Sequence, residues 1–165
     1  MEKKKIYIIQ PRIPHYRKFF FKNIKKDAQV VIISSKEKRI NTIKSNRFDY
    51  SLEIKNFLGF IWLKNLPYQS FKNNFVIING NMRILNNYII FFLKYLFNYE
   101  IIWWGHLRST RPAPVFDRIR FKLMDLFADK VILYTNMEAQ ETKKSKLIKS
   151  KKVFYLNNTI DQRKI

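Results

Sequence analysis

Short apolar runs alternate with longer stretches of helical periodicity along this chain. Residues 5–10 (KIYIIQ), 29–34 (QVVIIS), 75–78 (FVII), 101–104 (IIWW), 130–135 (KVILYT) and 152–156 (KVFYL) are near-continuous runs rich in β-branched and aromatic side chains. Such runs predict strands buried on both faces, as in a parallel sheet. Between them lie helical patterns. Over 15–26, Tyr16, Phe20 and Ile24 share one face, with Arg17, Lys18, Lys22 and Lys25 turned to water. Over 83–97, Leu85, Tyr88, Ile89, Phe92 and Leu96 form the expected core stripe, and Ile84, Phe91 and Tyr95 a second apolar stripe beside it. So broad an apolar surface calls for cover on two sides: the core, plus a neighbour, a lipid surface or another domain. Over 115–128, Phe116, Ile119, Leu123, Leu126 and Phe127 are expected inward, and Arg118, Lys122 and Asp125 outward. Pro112 and Pro114 suit the start of that helix, where proline is tolerated. A further helix is expected over 137–146. Residues 36–56 are polar without clear period, with a short strand somewhere in 48–55. Residues 57–66 (FLGFIWLKNL) fit either a strand or a short helix.

Strands alternating with helices imply an α/β fold: a Rossmann-like, mainly parallel sheet with helices on both faces. Ligands in such folds bind beyond the carboxyl ends of the strands. That rule selects Gln10, Asn79, Gly80, Gly105, His106 and Asn136. The chain has only 3 glycines, and Gly80 and Gly105 both fall at strand ends. Glycine there admits a ligand close to the backbone or a positive φ, and it serves a plain tight turn equally well.

Composition narrows the function classes. With 165 residues and 47% apolar content, the chain can bury a full core. It has no cysteine, which excludes disulfides, thiolate catalysis and cysteine-bound zinc. The net charge of +21 favours anionic partners such as nucleic acid, an acidic membrane surface or phosphorylated substrates. A genome-wide bias toward Lys, Ile, Asn, Phe and Tyr would produce the same charge without a functional cause. No export signal or spanning segment is read, because residues 6–9 and 88–97 are too short an apolar run for either. The expected location is cytoplasmic, with contact to the inner face of the membrane left open.

His106 stands where a strand ends and a helix approaches. An imidazole there can hydrogen-bond a sugar hydroxyl or assist proton transfer; the bland alternative is a loop histidine with no role. Arg108 and Arg111 share its loop ahead of a helix N-terminus, a place that favours a phosphate. By periodicity Tyr16 reads as core and Arg17 as a solvated helix residue. No glycine-rich phosphate loop, nucleophile elbow or Ser-His-Asp order is present. With 2 histidines far apart and 12 acids, no dedicated metal site is expected.

The segment WWGHLRSTRP…FDRIRFKLMDLFADKVILYT…KVFYLNNTID resembles the first domain of GT-B glycosyltransferases, within the retaining GT4 group. The resemblance rests on Gly105-His106 after a strand, Ala128-Asp129 ending a helix, the strand at 131–135, and Asn158-Thr159-Ile160-Asp161. The opening IIQPRIPHYRKFFFKNI is similar to the start of such proteins. The resemblance implies a GT-B N-terminal domain over 1–157, with 158–165 beginning a linker to an absent donor-binding domain. It implies transfer of a hexose from a nucleotide-diphospho-sugar to a glycan or lipid-linked acceptor, with retention and no cofactor. His106 inherits the catalytic-face role, reaching the donor sugar across a cleft. Gln10, Pro11, Tyr16 and Arg17 inherit the loop that lines donor phosphate and acceptor. Prolines replace the two glycines many members carry there, which weakens diphosphate contact in that loop. The donor would be bound mainly by a second domain, in the same chain or a separate subunit, and the chain alone is expected to be inactive.

Two rivals remain. A nucleic-acid-binding module would cluster Lys and Arg with exposed aromatics on one face; here most aromatics fall at core positions and the charge is spread, so nucleic acid is not the expected partner. A membrane-recruiting partner without catalysis is the other. The basic first helix and the apolar 83–97 segment would both suit an anionic membrane surface.

Overall fold

The computed structural model describes residues 4–13, 17–35, 49–108, 114–149 and 152–156. Among the described residues eight strands and four helices follow one another: β1 (Ile6–Ile9), α1 (Lys18–Asp27), β2 (Val30–Ser35), β3 (Tyr50–Phe57), β4 (Phe60–Lys64), β5 (Phe75–Asn79), α2 (Asn86–Phe97), β6 (Glu100–Gly105), α3 (Pro114–Phe127), β7 (Lys130–Leu133), α4 (Asn136–Ser145) and β8 (Val153–Tyr155). The strand order is β4-β3-β2-β1-β5-β6-β7-β8. Every pairing is parallel except the β3–β4 hairpin. This is the expected Rossmann-like α/β sheet. The chain reverses direction of travel between β1 and β5, so the topological switch point lies between Gln10 and Asn79.

The pleat divides the interior into two layers. Tyr7, Ile9, Ile33, Val76, Ile78, Trp103 and Val131 face α2, α3 and α4. Ile8, Ile32, Ile77 and Trp104 face α1, through Phe20, Phe21 and Ile24. Next to α2, the β3–β4 hairpin and a 3-10 turn, Tyr68–Phe71, take the place a helix would fill, burying Leu52, Leu63 and Phe71. Residues 57–66 are therefore a turn and a strand, and the helical alternative is not realised.

Two helices are rotated relative to the periodicity. Helix α2 buries Asn86 and Asn87 together with Ile90 and Phe91, and leaves Tyr88, Phe92, Tyr95 and Leu96 exposed. The cause is hydrogen bonding. Asn86 Oδ1 accepts from Leu63 N at 2.6 Å and its Nδ2 donates to Leu63 O at 2.9 Å, completing the open edge of β4. Asn87 Nδ2 donates to the carbonyls of Asn79 and Asn81 at 2.9 and 3.2 Å. Unpaired backbone groups cost more than an exposed aromatic, so two amides take the inward face. Helix α3 turns Asp117, Phe121 and Met124 inward and leaves Phe116, Ile119 and Leu126 exposed, against expectation. Arg17 is also corrected: it is buried, not solvated.

Candidate functional site

Four strands end on one rim, and their ends divide into two groups. At the switch point, Asn79 Nδ2 donates to Gln10 Oε1 at 3.3 Å. Asn79 Oδ1 accepts from Asn81 N at 3.1 Å, and Asn81 Oδ1 from Arg83 N at 3.0 Å. Pro11 O accepts from Ser35 N at 3.2 Å and Ser35 Oγ at 2.6 Å, which ties the loop after β1 to β2. Gln10 is buried, and its amide oxygen is turned on Asn79. These hydrogen bonds tie the loops after β1 and β5 to each other and to β2.

Gly80 and Gly105 end β5 and β6 side by side. A Cβ on Gly80 would stand 2.5 Å from Trp103 Nε1 and 3.2 Å from Gly105 Cα, while Gly80 N donates to Trp104 O at 2.8 Å. Neither glycine has a positive φ. Close packing of two strand ends against the Trp103 indole accounts for both.

The second group surrounds His106. Its ring is half exposed and rests edge-on against Tyr134, with centroids 4.5 Å apart. Its Nδ1 lies 3.3 Å from Glu138 Oε1. A carboxylate only accepts, so this contact calls for a proton on Nδ1. Glu138 is held in turn. Thr135 caps α4, its Oγ1 accepting from Glu138 N at 3.1 Å and donating to Glu138 Oε2 at 3.2 Å. This is the Ser/Thr-x-x-Glu capping arrangement, with the glutamate diverted to the neighbouring loop. There its Oε1 also accepts from Leu107 N at 3.0 Å, so one carboxylate fixes both the loop after β6 and the histidine.

The cations of this rim are engaged. Arg17 stacks over Trp104 at 4.7 Å and Tyr134 at 5.0 Å, a position that suits a planar guanidinium. Arg108 Nη2 donates to Glu141 at 2.6 Å, and this hydrogen bond pushes its pKa further up. Arg120 Nη1 donates to His106 O at 3.3 Å; burial pulls its pKa down, while Asp117 beside it acts the other way.

The structure thus brings His106, Gly105, Arg17 and Arg108 to one part of the rim and Gln10, Pro11, Asn79 and Gly80 to the other. Tyr16 and Arg111 lie outside the described residues, as do Asn158-Thr159-Ile160-Asp161 and the expected linker. Asn136 is the exposed first residue of α4. Sequence reasoning missed Glu138, Thr135 and Tyr134. The Thr135-x-x-Glu138 spacing was the available signal for the first two.

No protein-family model matches the chain, and no curated protein matches it. Solved structures do. UDP-N-acetylglucosamine 2-epimerase from Rickettsia bellii aligns with a TM-score of 0.56 at 11% identity, over 93% of this chain and 44% of that one. Anabaena Alr3699/HepE, solved in complex with UDP-glucose, aligns with a TM-score of 0.59 at 10% identity, over 95% of this chain and 44% of that one. The chain therefore spans less than half the length of either protein. At these identities the likeness establishes the fold, a Rossmann-like α/β sheet of the GT-B type, and leaves the chemistry to the residues on the rim.

Proposed function

We propose that this chain forms the acceptor-side wall of a nucleotide-sugar enzyme: the first half of a retaining hexosyltransferase acting on a glycan or lipid-linked acceptor. The observation that carries the reading is the half-exposed His106, held by Nδ1 on Glu138 at the end of β6. In that state Nε2 accepts a hydrogen bond from a sugar hydroxyl, and with the ring protonated it donates one to developing charge on the leaving group. Tyr134 and Glu138 hold the ring in place for either role.

The donor diphosphate belongs mainly to a second domain, in the same polypeptide or a separate subunit. Two observations support this. Arg17, Arg108 and Arg120 are already engaged by aromatic rings, Glu141 and a loop carbonyl. Both solved relatives carry UDP-sugars in their names or complexes, and this chain spans 44% of each.

Turnover of UDP-glucose and UDP-N-acetylglucosamine by the chain, alone and joined to a donor-binding half, tests the reading. The isolated chain is expected to be inactive and the joined protein active, with product analysis separating transfer from epimerisation of the sugar. Donor turnover by the isolated chain overturns the division of labour. Epimerised free nucleotide-sugar as the sole product overturns transfer.

A further inference from the structure

We propose that the β3–β4 hairpin docks tip-first on an anionic lipid bilayer. The inference does not depend on the nucleotide-sugar reading.

The hairpin register sets out its exposed face in order. Glu53 pairs with Lys64, Lys55 with Trp62, and Phe57 with Phe60, before the turn at Leu58-Gly59. The inward face, with Leu52 and Leu63, is buried in the core. From base to tip the outer face therefore passes from an ion pair (3.6 Å), through a cation beside an indole, to an aromatic pair and a leucine. That is the order of a bilayer interface: charge in water, Trp and Lys at the headgroups, apolar side chains below. Phe57 and Leu58 are 72% and 83% exposed.

The turn itself is built against local preference. Leu58 and Gly59 have φ of +46° and +81°, so both central positions are left-handed. Such a turn favours Asn or Asp before Gly, and leucine there is disfavoured. A local rule broken at an exposed tip marks a position chosen for something other than folding.

Leu85 N donates to Ile61 O at 3.0 Å, which seats the start of α2 against β4. From there α2 runs away from the tip, so its exposed stripe is no part of the inserted surface. Lys55 on the hairpin and Arg83, whose carbonyl accepts from Ile61 N, are exposed cations beside it, on a chain of net charge +21. This charge complements phosphatidylglycerol-type headgroups. Helix α1 packs on the opposite face of the sheet, so its Lys22 lies off this surface.

Vesicle co-sedimentation tests the proposal, with phosphatidylcholine vesicles lacking or containing phosphatidylglycerol. The chain should bind only the anionic vesicles. Trp62 is the sole partly exposed tryptophan, since Trp103 and Trp104 are buried, so its emission should shift to the blue and be quenched by brominated lipid. Leu58→Asn should keep or raise the melting temperature and reduce partitioning about tenfold, the transfer of one leucine side chain. Lys55→Glu should weaken binding far more than the charge-matched Lys22→Glu on α1. Failure of the wild-type chain to bind anionic vesicles overturns the proposal. So does equal loss from Lys55→Glu and Lys22→Glu, which would show diffuse charge at work. A lipid-free oligomer dissolved by Leu58→Asn would assign the tip to a protein partner and equally overturn it.

Discussion

The two halves of the rim use similar numbers of polar side chains to opposite ends. At the switch point, Gln10, Asn79, Asn81 and Asn87 spend their hydrogen-bonding capacity on each other and on loop backbone. At the other part of the rim, Glu138 spends its capacity on Leu107 N, the Thr135 hydroxyl and the Nδ1 of a half-exposed histidine. The general rule for open α/β sheets points to the switch point as the ligand crevice. Here the side chains of that crevice are tied to one another and to loop backbone, and His106 stands beside it, after β6, the neighbour of β5.

Substitutions should separate the halves. The largest effect expected is His106→Ala in the joined enzyme, with turnover falling about 10²–10⁴-fold while melting is little changed, because the ring is half exposed. Unchanged turnover would remove the histidine from the chemistry. Gly80→Ala should do the reverse. Its Cβ would stand 2.5 Å from Trp103 Nε1, so a loss of about 1–3 kcal/mol is expected in denaturant unfolding, with turnover per folded molecule preserved. Glu138→Gln keeps an acceptor for Leu107 N and removes the charge facing the imidazole. Turnover should fall on the order of tenfold without loss of stability, and the pH profile of turnover should move. If melting fell instead, Glu138 would be only a cap. Asn79→Ala should cost about 1 kcal/mol of stability and leave catalysis near wild type.

The smallest effect is alkaline. Burial raises the hydroxyls of Tyr99 and Tyr68 above the ordinary value of 10.0. The unfolded chain loses these protons first, so stability present below pH 10 should decline as pH rises beyond it. Tyr99→Phe should flatten that decline in urea titrations across the same range; an unchanged slope would assign it to other groups.

Most of the fold was legible in the pattern. Six apolar runs became six strands of the sheet, because a strand buried on both faces leaves a run that nothing else mimics at that length. Helix rotation was not legible. Asn86 and Asn87 look like surface residues until β4 and the loop after β5 present backbone groups for them to satisfy, and only tertiary structure supplies those partners. Arg17 misled for a similar reason: a guanidinium at helical spacing reads as solvent-facing until Trp104 and Tyr134 flank it. His106 could be placed at the rim because it ends a strand. Its carboxylate partner comes from 32 residues downstream, beyond helix α3 and strand β7, which no local spacing encodes.

The most direct test of the contrast is a nuclear magnetic resonance titration of the labelled chain with UDP-glucose at millimolar concentration. The chain holds 2 histidines, so His106→Ala assigns the His106 ring signal without ambiguity. The account predicts that the His106 Cε1–H and the Tyr134 ring move with added nucleotide-sugar, while the side-chain amides of Gln10 and Asn79 stay still. Movement of the Gln10 and Asn79 amides with a silent His106 would contradict it, and would return the site to the switch point.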